Sequence, residues 1–305
     1  MAIDLFQVNP NLIDVDFDRD AKTIPGFCGL IIDPAEMSDA PSFSSDWLVP
    51  RDEWKDRIEQ AEREKTALPF FRKARNNQAP ESSCVHNSAE VVRDTMRNKQ
   101  IGEKWSVKCS PMSSYCRVTT RRGSGSTMWG ALQILKAGVR GNGQLPEKNP
   151  RNIAMFGDFC VHQNTPFISS NGRNYFKAGW EEIAQWFTVV EWYAIESYEQ
   201  FVSALIRGWG VCYGRSVHSI AGLQAVWNKN QAICKYLDSY GHGRGEDGYL
   251  FDSPRMMNTG GAWCCREVTL PPDLSKPWEP CGNEPGVNLL TREKFLQLDG
   301  LGAAA

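Results

Sequence analysis

The residues best suited to chemistry in this 305-residue chain are its ten cysteines and four histidines. The same Cys-Val-His triplet occurs twice, at residues 84–86 and again at 160–162. Cysteine–histidine pairs can hold a zinc ion, or they can form a thiolate nucleophile with its proton-exchange partner. A metal shared by the two triplets requires both side chains of each pair to converge. Residues i and i+2 of a strand share a face, so Cys160 and His162 could do so. The stretch "CVHNSAEVVRDTMRNKQ" instead reads as an amphipathic helix, with Val85, Ala89, Val92 and Met96 as its stripe and Ser82 or Ser83 as its cap. Two positions apart on a helix is roughly 200° of rotation, which turns Cys84 and His86 away from each other. No CxxC spacing occurs either. The expectation is therefore no metal and no cofactor. "DFCVHQN" reads as a buried Cys160 beside an exposed His162, and His86 reads as solvated.

Cys84 has a different setting. It opens its helix, where unpaired N–H groups and the positive end of the helix dipole favour a thiolate. A nucleophile there still needs a histidine base and donors for an oxyanion. His86 is badly directed for this, and a better candidate lies downstream.

The elements that must position these groups change character along the chain. Apolar residues make up 41% and charged ones 23%, and the formal charge of −2 argues for neither a nucleic-acid nor a membrane partner. The first twenty residues carry five aspartates and no cationic or long apolar run, so a cytoplasmic site of synthesis is expected. Residues 1–50 are rich in breakers, and "DEWKDRIEQAEREKTA" is predicted as a short helix capped by Asp52. A further helix runs through "TMWGALQILKA" to a stop at Gly138. From about residue 187, "FTVVEWYAI" is predicted as a strand, and "SYEQFVSALIRG" as a helix with a Ser197/Gln200 capping box. "VCYG", "HSIAGLQAVW", "AICKYLDS" and "GYLFD" follow as strands. A helix-rich half followed by a strand-rich half predicts an α+β protein of two lobes. Residues beyond 252 read as a long wrapped tail, and adjacent Cys264 and Cys265 have no reading from sequence.

Four motifs, in order, resemble those of papain-like cysteine peptidases. Gln78 precedes Cys84 by six residues in "QAPESSC", His218 opens a buried strand in "VHSIAGLQAV", and "YLDSYGHGRGEDGYLF" follows the N-S-W-G and G-E-N/D-G-Y pattern. The match spans roughly residues 68–255. It implies a papain-like two-lobed fold with a helical lobe at about 78–150 and an antiparallel, β-barrel-like lobe at about 187–252, the site lying between them. Residues 1–67 and 256–305 would be N- and C-terminal extensions. It also implies Cys84 as nucleophile, His218 as its ion-pair partner, Asp238 as the residue orienting the imidazole, and Gln78 with the Cys84 N–H as oxyanion hole. Tyr240 would shield the histidine, in place of the family's tryptophan.

The chain departs from the pattern in ways that bear on function. The orienting residue is Asp238, where the family has asparagine, Val85 replaces an aromatic, and Glu81 stands where many members have a disulfide cysteine. The function implied is hydrolysis of a peptide or protein substrate, or of a peptidoglycan cross-peptide. The alternative is a papain fold with little or no catalysis, held in a larger assembly such as a virion through its terminal arms. His242 reads as an exposed loop residue.

Overall fold

The computed structural model describes residues 8–15, 29–33, 40–72, 76–78, 81–101, 107–119, 123–162, 176–241, 244–257 and 261–270. In chain order its elements begin with β1 (Leu30–Ile31), α1 (Trp54–Arg63), α2 (Cys84–Ile101), β2 (Cys109–Ser110), α3 (Pro111–Val118) and β3 (Ser126–Thr127). Next come α4 (Met128–Ile134), β4 (Leu145–Pro146), α5 (Pro150–Phe156), α6 (Trp180–Ala184), β5 (Val189–Ala194) and α7 (Tyr198–Ile206). The chain then runs through β6 (Val211–Arg215), β7 (His218–Asn228), β8 (Gln231–Leu237), β9 (Tyr249–Asp252) and β10 (Ala262–Val268). Helices thus dominate the first half and strands the second, as the sequence pattern predicts.

The second half folds into a six-stranded antiparallel sheet in the order β5–β10–β6–β7–β8–β9. The sheet is open, not a closed barrel. Its end strands β5 and β9 do not pair with each other, and single bridges from Ser42 and Lys136 cover β5 while Ile13 covers β9. β10 corrects a sequence expectation: part of the supposed wrapped tail is an interior strand. Both flanking faces explain the double cysteine. Cys264 packs into the core on one side of the sheet and Cys265 into the core on the other, as alternation along a strand requires.

α2 is the centre of the molecule. Its apolar stripe is buried as predicted, but so is the rest of the helix from Cys84 to Arg97, so it is not a half-solvated amphipathic helix. Its polar residues are satisfied inside. Glu90 accepts from both Arg72 terminal nitrogens at 3.1 Å and from Asn76 Nδ2 at 2.6 Å. Asp94 pairs with Arg93 and accepts the Cys109 N–H at 2.9 Å. Arg93 and Arg97 donate to the Phe187 and Trp186 carbonyls at 2.7 and 2.6 Å. Ser88 Oγ meets Ser219 Oγ of β7 at 2.6 Å and ties helix to sheet.

On the other face of the sheet lie α7, α1 and the segment before them, with Phe43, Val49, Trp54 and Ile58 in one core with Phe201, Val202 and Tyr213. The capping box of α7 is present as read from the sequence. Asp52 is not the cap of α1; it sits within a 3-10 turn, Arg51–Glu53, that runs into the helix. α4 ends at Ile134, short of Gly138. Asn142 Nδ2 takes the Gln133 and Lys136 carbonyls at 2.6 and 3.0 Å, and the Gly143 N–H takes that of Ile134 at 2.7 Å, so the returning loop satisfies the helix end.

Candidate active site

Cys84 is the first residue of α2, after Ser83, whose carbonyl accepts the Asn87 N–H at 3.0 Å. The Ser83 hydroxyl is engaged by the Asn87 side chain at 3.0 Å. Across the cleft, His218 is the first residue of β7, and Asp238 follows the last residue of β8. The antiparallel pairing of β7 with β8, register Ala221 to Leu237, brings the two side chains together. His218 Nε2 lies 3.0 Å from Asp238 Oδ1, and the ring also hydrogen-bonds the Cys84 thiol. With Nε2 on the carboxylate, Nδ1 is the nitrogen left for sulfur.

All three groups are buried. Burial alone pushes the His218 imidazole down; Cys84 and the Asp238 carboxylate push it the other way, up to about 9. Burial likewise opposes ionisation of Asp238, but its bond to His218, that cation's charge and the nearby Arg244 guanidinium hold it below the usual carboxylate range. The Tyr240 ring stacks on His218 with centroids 5.6 Å apart and planes at 26°. The structure therefore brings Cys84, His218, Asp238 and Tyr240 into one place.

Gln78 joins them through the backbone. Its N–H donates to the Ser239 carbonyl at 2.8 Å, beside an Asn77–Tyr240 bridge. Its side-chain Oε1 accepts from the Ser239 hydroxyl, and Nε2 donates one hydrogen to the Glu81 carbonyl at 2.7 Å.

The remaining histidines divide. His86, read as solvated, is buried: Nδ1 meets Ser114 Oγ at 2.9 Å and the ring stands edge-on to Tyr115 at 5.6 Å. Burial, then the Arg117 charge, pushes it down to about 3, so the ring is neutral. It faces α3 while Cys84 faces β7, as two positions on a helix should. Cys160 is buried beside an exposed His162, and no cluster of three potential metal ligands occurs among the described residues. His242 lies outside the described residues.

Two features had no counterpart in the sequence reading. Arg244 Nε lies 2.8 Å from Asp238 Oδ2. And the cleft holds the chain's own residues 29–31. The Gly29 carbonyl accepts the Ser126 N–H at 2.9 Å on one side, and the Leu30 N–H donates to the Val217 carbonyl at 2.9 Å on the other. β1 and β3 run parallel, Leu30 opposite Ser126. A Cβ added at Gly29 would lie 2.6 Å from the Ser82 carbonyl oxygen and 2.8 Å from Cys84 Sγ, so only glycine fits against the thiol.

By sequence, neither a protein-family model nor a curated protein matches the chain. By structure it resembles xylellain, a cysteine protease from Xylella fastidiosa, with a TM-score of 0.57 at 15% identity over 80% of this chain and 97% of that one. The chain has the papain-like fold. Other papain-fold structures agree. Digestive procathepsin L2 of the Tenebrio molitor larval midgut gives a TM-score of 0.54 at 14% identity, covering 86% of this chain and 83% of the other. Recombinant stem bromelain precursor gives 0.51 at 9%, covering 83% and 86%. In this papain-like frame the candidate site lies where α2 meets β7.

Proposed function

We propose that the chain is a papain-like cysteine peptidase whose site is covered by its own residues 29–31. The observation that carries this reading is the line of three buried groups, thiol, imidazole and carboxylate, with Nε2 to Oδ1 at 3.0 Å and the ring's other side on sulfur. In this reading Cys84 Sγ attacks the acyl carbon of a peptide, and the carbonyl becomes an oxyanion held by the Cys84 N–H and Gln78 Nε2. The His218 imidazolium passes its proton to the leaving amine as the C–N bond breaks. Water then attacks the thioester, giving one proton to His218, and the C–S bond breaks to release the acid. Asp238 keeps Nε2 oriented throughout.

The Ser126 N–H and Val217 carbonyl that hold the strap are backbone groups any extended peptide could use, so strap and substrate compete for one track. A peptide or protein substrate suits that track; the cross-peptides of peptidoglycan are a narrower version of the same proposal. The covered thiol also favours a second reading, in which the fold is retained without catalysis and the terminal segments serve an assembly role. Hydrolysis of a mixed fluorogenic peptide pool separates the two. Activity that appears when the strap is destabilised and vanishes in Cys84→Ala supports the peptidase. No turnover by any strap variant supports the inactive reading.

A further inference from the structure

Asp238 is a buried carboxylate with two separate duties. Oδ1 meets His218 Nε2 at 3.0 Å and accepts the Ser239 N–H at 2.6 Å. Oδ2 takes no hydrogen bond among the described residues, yet Arg244 Nε lies 2.8 Å from it, an ion pair with an Arg side chain only 15% exposed. The pair is built into the turn between β8 and β9. The Gly248 N–H donates to the Arg244 carbonyl at 2.9 Å, and the Gly248 carbonyl accepts the Asp238 N–H at 3.2 Å. Gly245 makes this turn close: its φ is +61°, and a Cβ there would meet the Tyr249 carbonyl oxygen at 2.0 Å. We propose that Arg244 is a positioning residue of the site, acting through Asp238, whose negative charge it shares with the imidazole.

This role for Arg244 rests on the peptidase reading and on charge balance through its cycle. When His218 is an imidazolium, Asp238 has a cation at Oδ1. When His218 has given its proton to the leaving group, that cation is gone, and a buried carboxylate left alone would draw a proton back. A guanidinium does not deprotonate, so Arg244 keeps Asp238 ionised in both halves of the cycle. It also withdraws part of the carboxylate's field from the imidazole. Among the described residues, the other groups facing this pair include Cys84 from α2, the stacked Tyr240 ring and the buried Tyr236 phenol of β8, none of them a cation. An asparagine at 238 would need no such partner, so residues 238 and 244 should work as a pair, both charged or both neutral.

The test is titration of the His218 ring by NMR in the full chain. Arg244→Gln should raise the His218 midpoint above the wild-type value, since a positive charge has been removed nearby, while Arg244→Lys stays close to wild type. Asp238→Asn should lower it. Asp238→Asn should also lower the melting midpoint, by roughly 5–10 °C, because Arg244 loses its buried partner, and adding Arg244→Gln should recover at least half of that. A folded Arg244→Gln protein with an unmoved His218 midpoint would overturn the proposal and leave Arg244 a turn staple. Should Arg244→Gln not fold, the double variant decides: no recovery over Asp238→Asn overturns the pairing. If Cys84 of a Gly29→Leu protein is no more reactive than the other cysteines, the peptidase reading falls, while a moved His218 midpoint still supports the Arg244 coupling.

Discussion

His218 stands between a thiol and a carboxylate, and its raised pKa has consequences of a definite sign. A folded value near 9 against the ordinary 6.5 means the charged ring stabilises the fold fully below about pH 6.5 and ceases to do so as pH rises through about 9. In the proposed peptidase the leaving amine takes the same proton, so the alkaline limb of kcat/KM should fall near pH 9, and Asp238→Asn should move it lower. A pH–rate profile of the two proteins checks both. That Cys84, His218, Asp238 and Gln78 would be brought together was legible in sequence because each sits in a short local motif. Arg244 was not. The hint was the aspartate itself: an extra buried charge in place of asparagine demands a cation, and sequence does not say which arginine supplies it.

α2 shows why an element can be found and still be misread. Charged residues around most of a helix suggest solvent, yet here Glu90, Arg93, Asp94 and Arg97 are buried because each has an internal partner. Arg72→Met should therefore cost about 3–5 kcal/mol in chemical denaturation, since it strands Glu90 without its cation. Adding Glu90→Gln to the same protein should recover much of the loss. β10 was missed for a related reason. Its two cysteines are buried on both faces of an interior strand, so "AWCCREV" shows little of the apolar–polar alternation that marks a half-exposed one. The strap was invisible because nothing about "CGLI" announces a cleft. Only the space around Gly29 shows it, and Gly29→Leu should push residues 29–31 off Cys84 and speed its reaction with small alkylating agents.

Across the whole molecule, different parts of the segment before α2 serve different ends. Residues 40–63 are structural: burying Phe43, Val49, Trp54 and Ile58 contributes roughly 6–12 kcal/mol, the order of a domain's entire stability. Residues 29–33 hold the cleft through two backbone hydrogen bonds. Removing residues 1–39 should thus open the site at a modest loss of stability, since Ile13 and Asp14 leave the β9 edge with it, while removing 1–67 should abolish cooperative melting in calorimetry. The two-lobed α+β plan was legible from the change of pattern near residue 187. The role of the first 67 residues was not, since it depends on which surfaces they meet.

The proposed function requires that the Cys84 sulfur, paired with His218 beneath residues 29–31, be the chain's preferred nucleophile. Limiting iodoacetamide near pH 6, followed by peptide mapping, tests it most directly. Cys84 should label ahead of the other nine cysteines, faster in Gly29→Leu than in wild type, and lose that lead when His218→Ala is added. Equal, slow labelling of Cys84 and the other cysteines in Gly29→Leu, unchanged by His218→Ala, would contradict it.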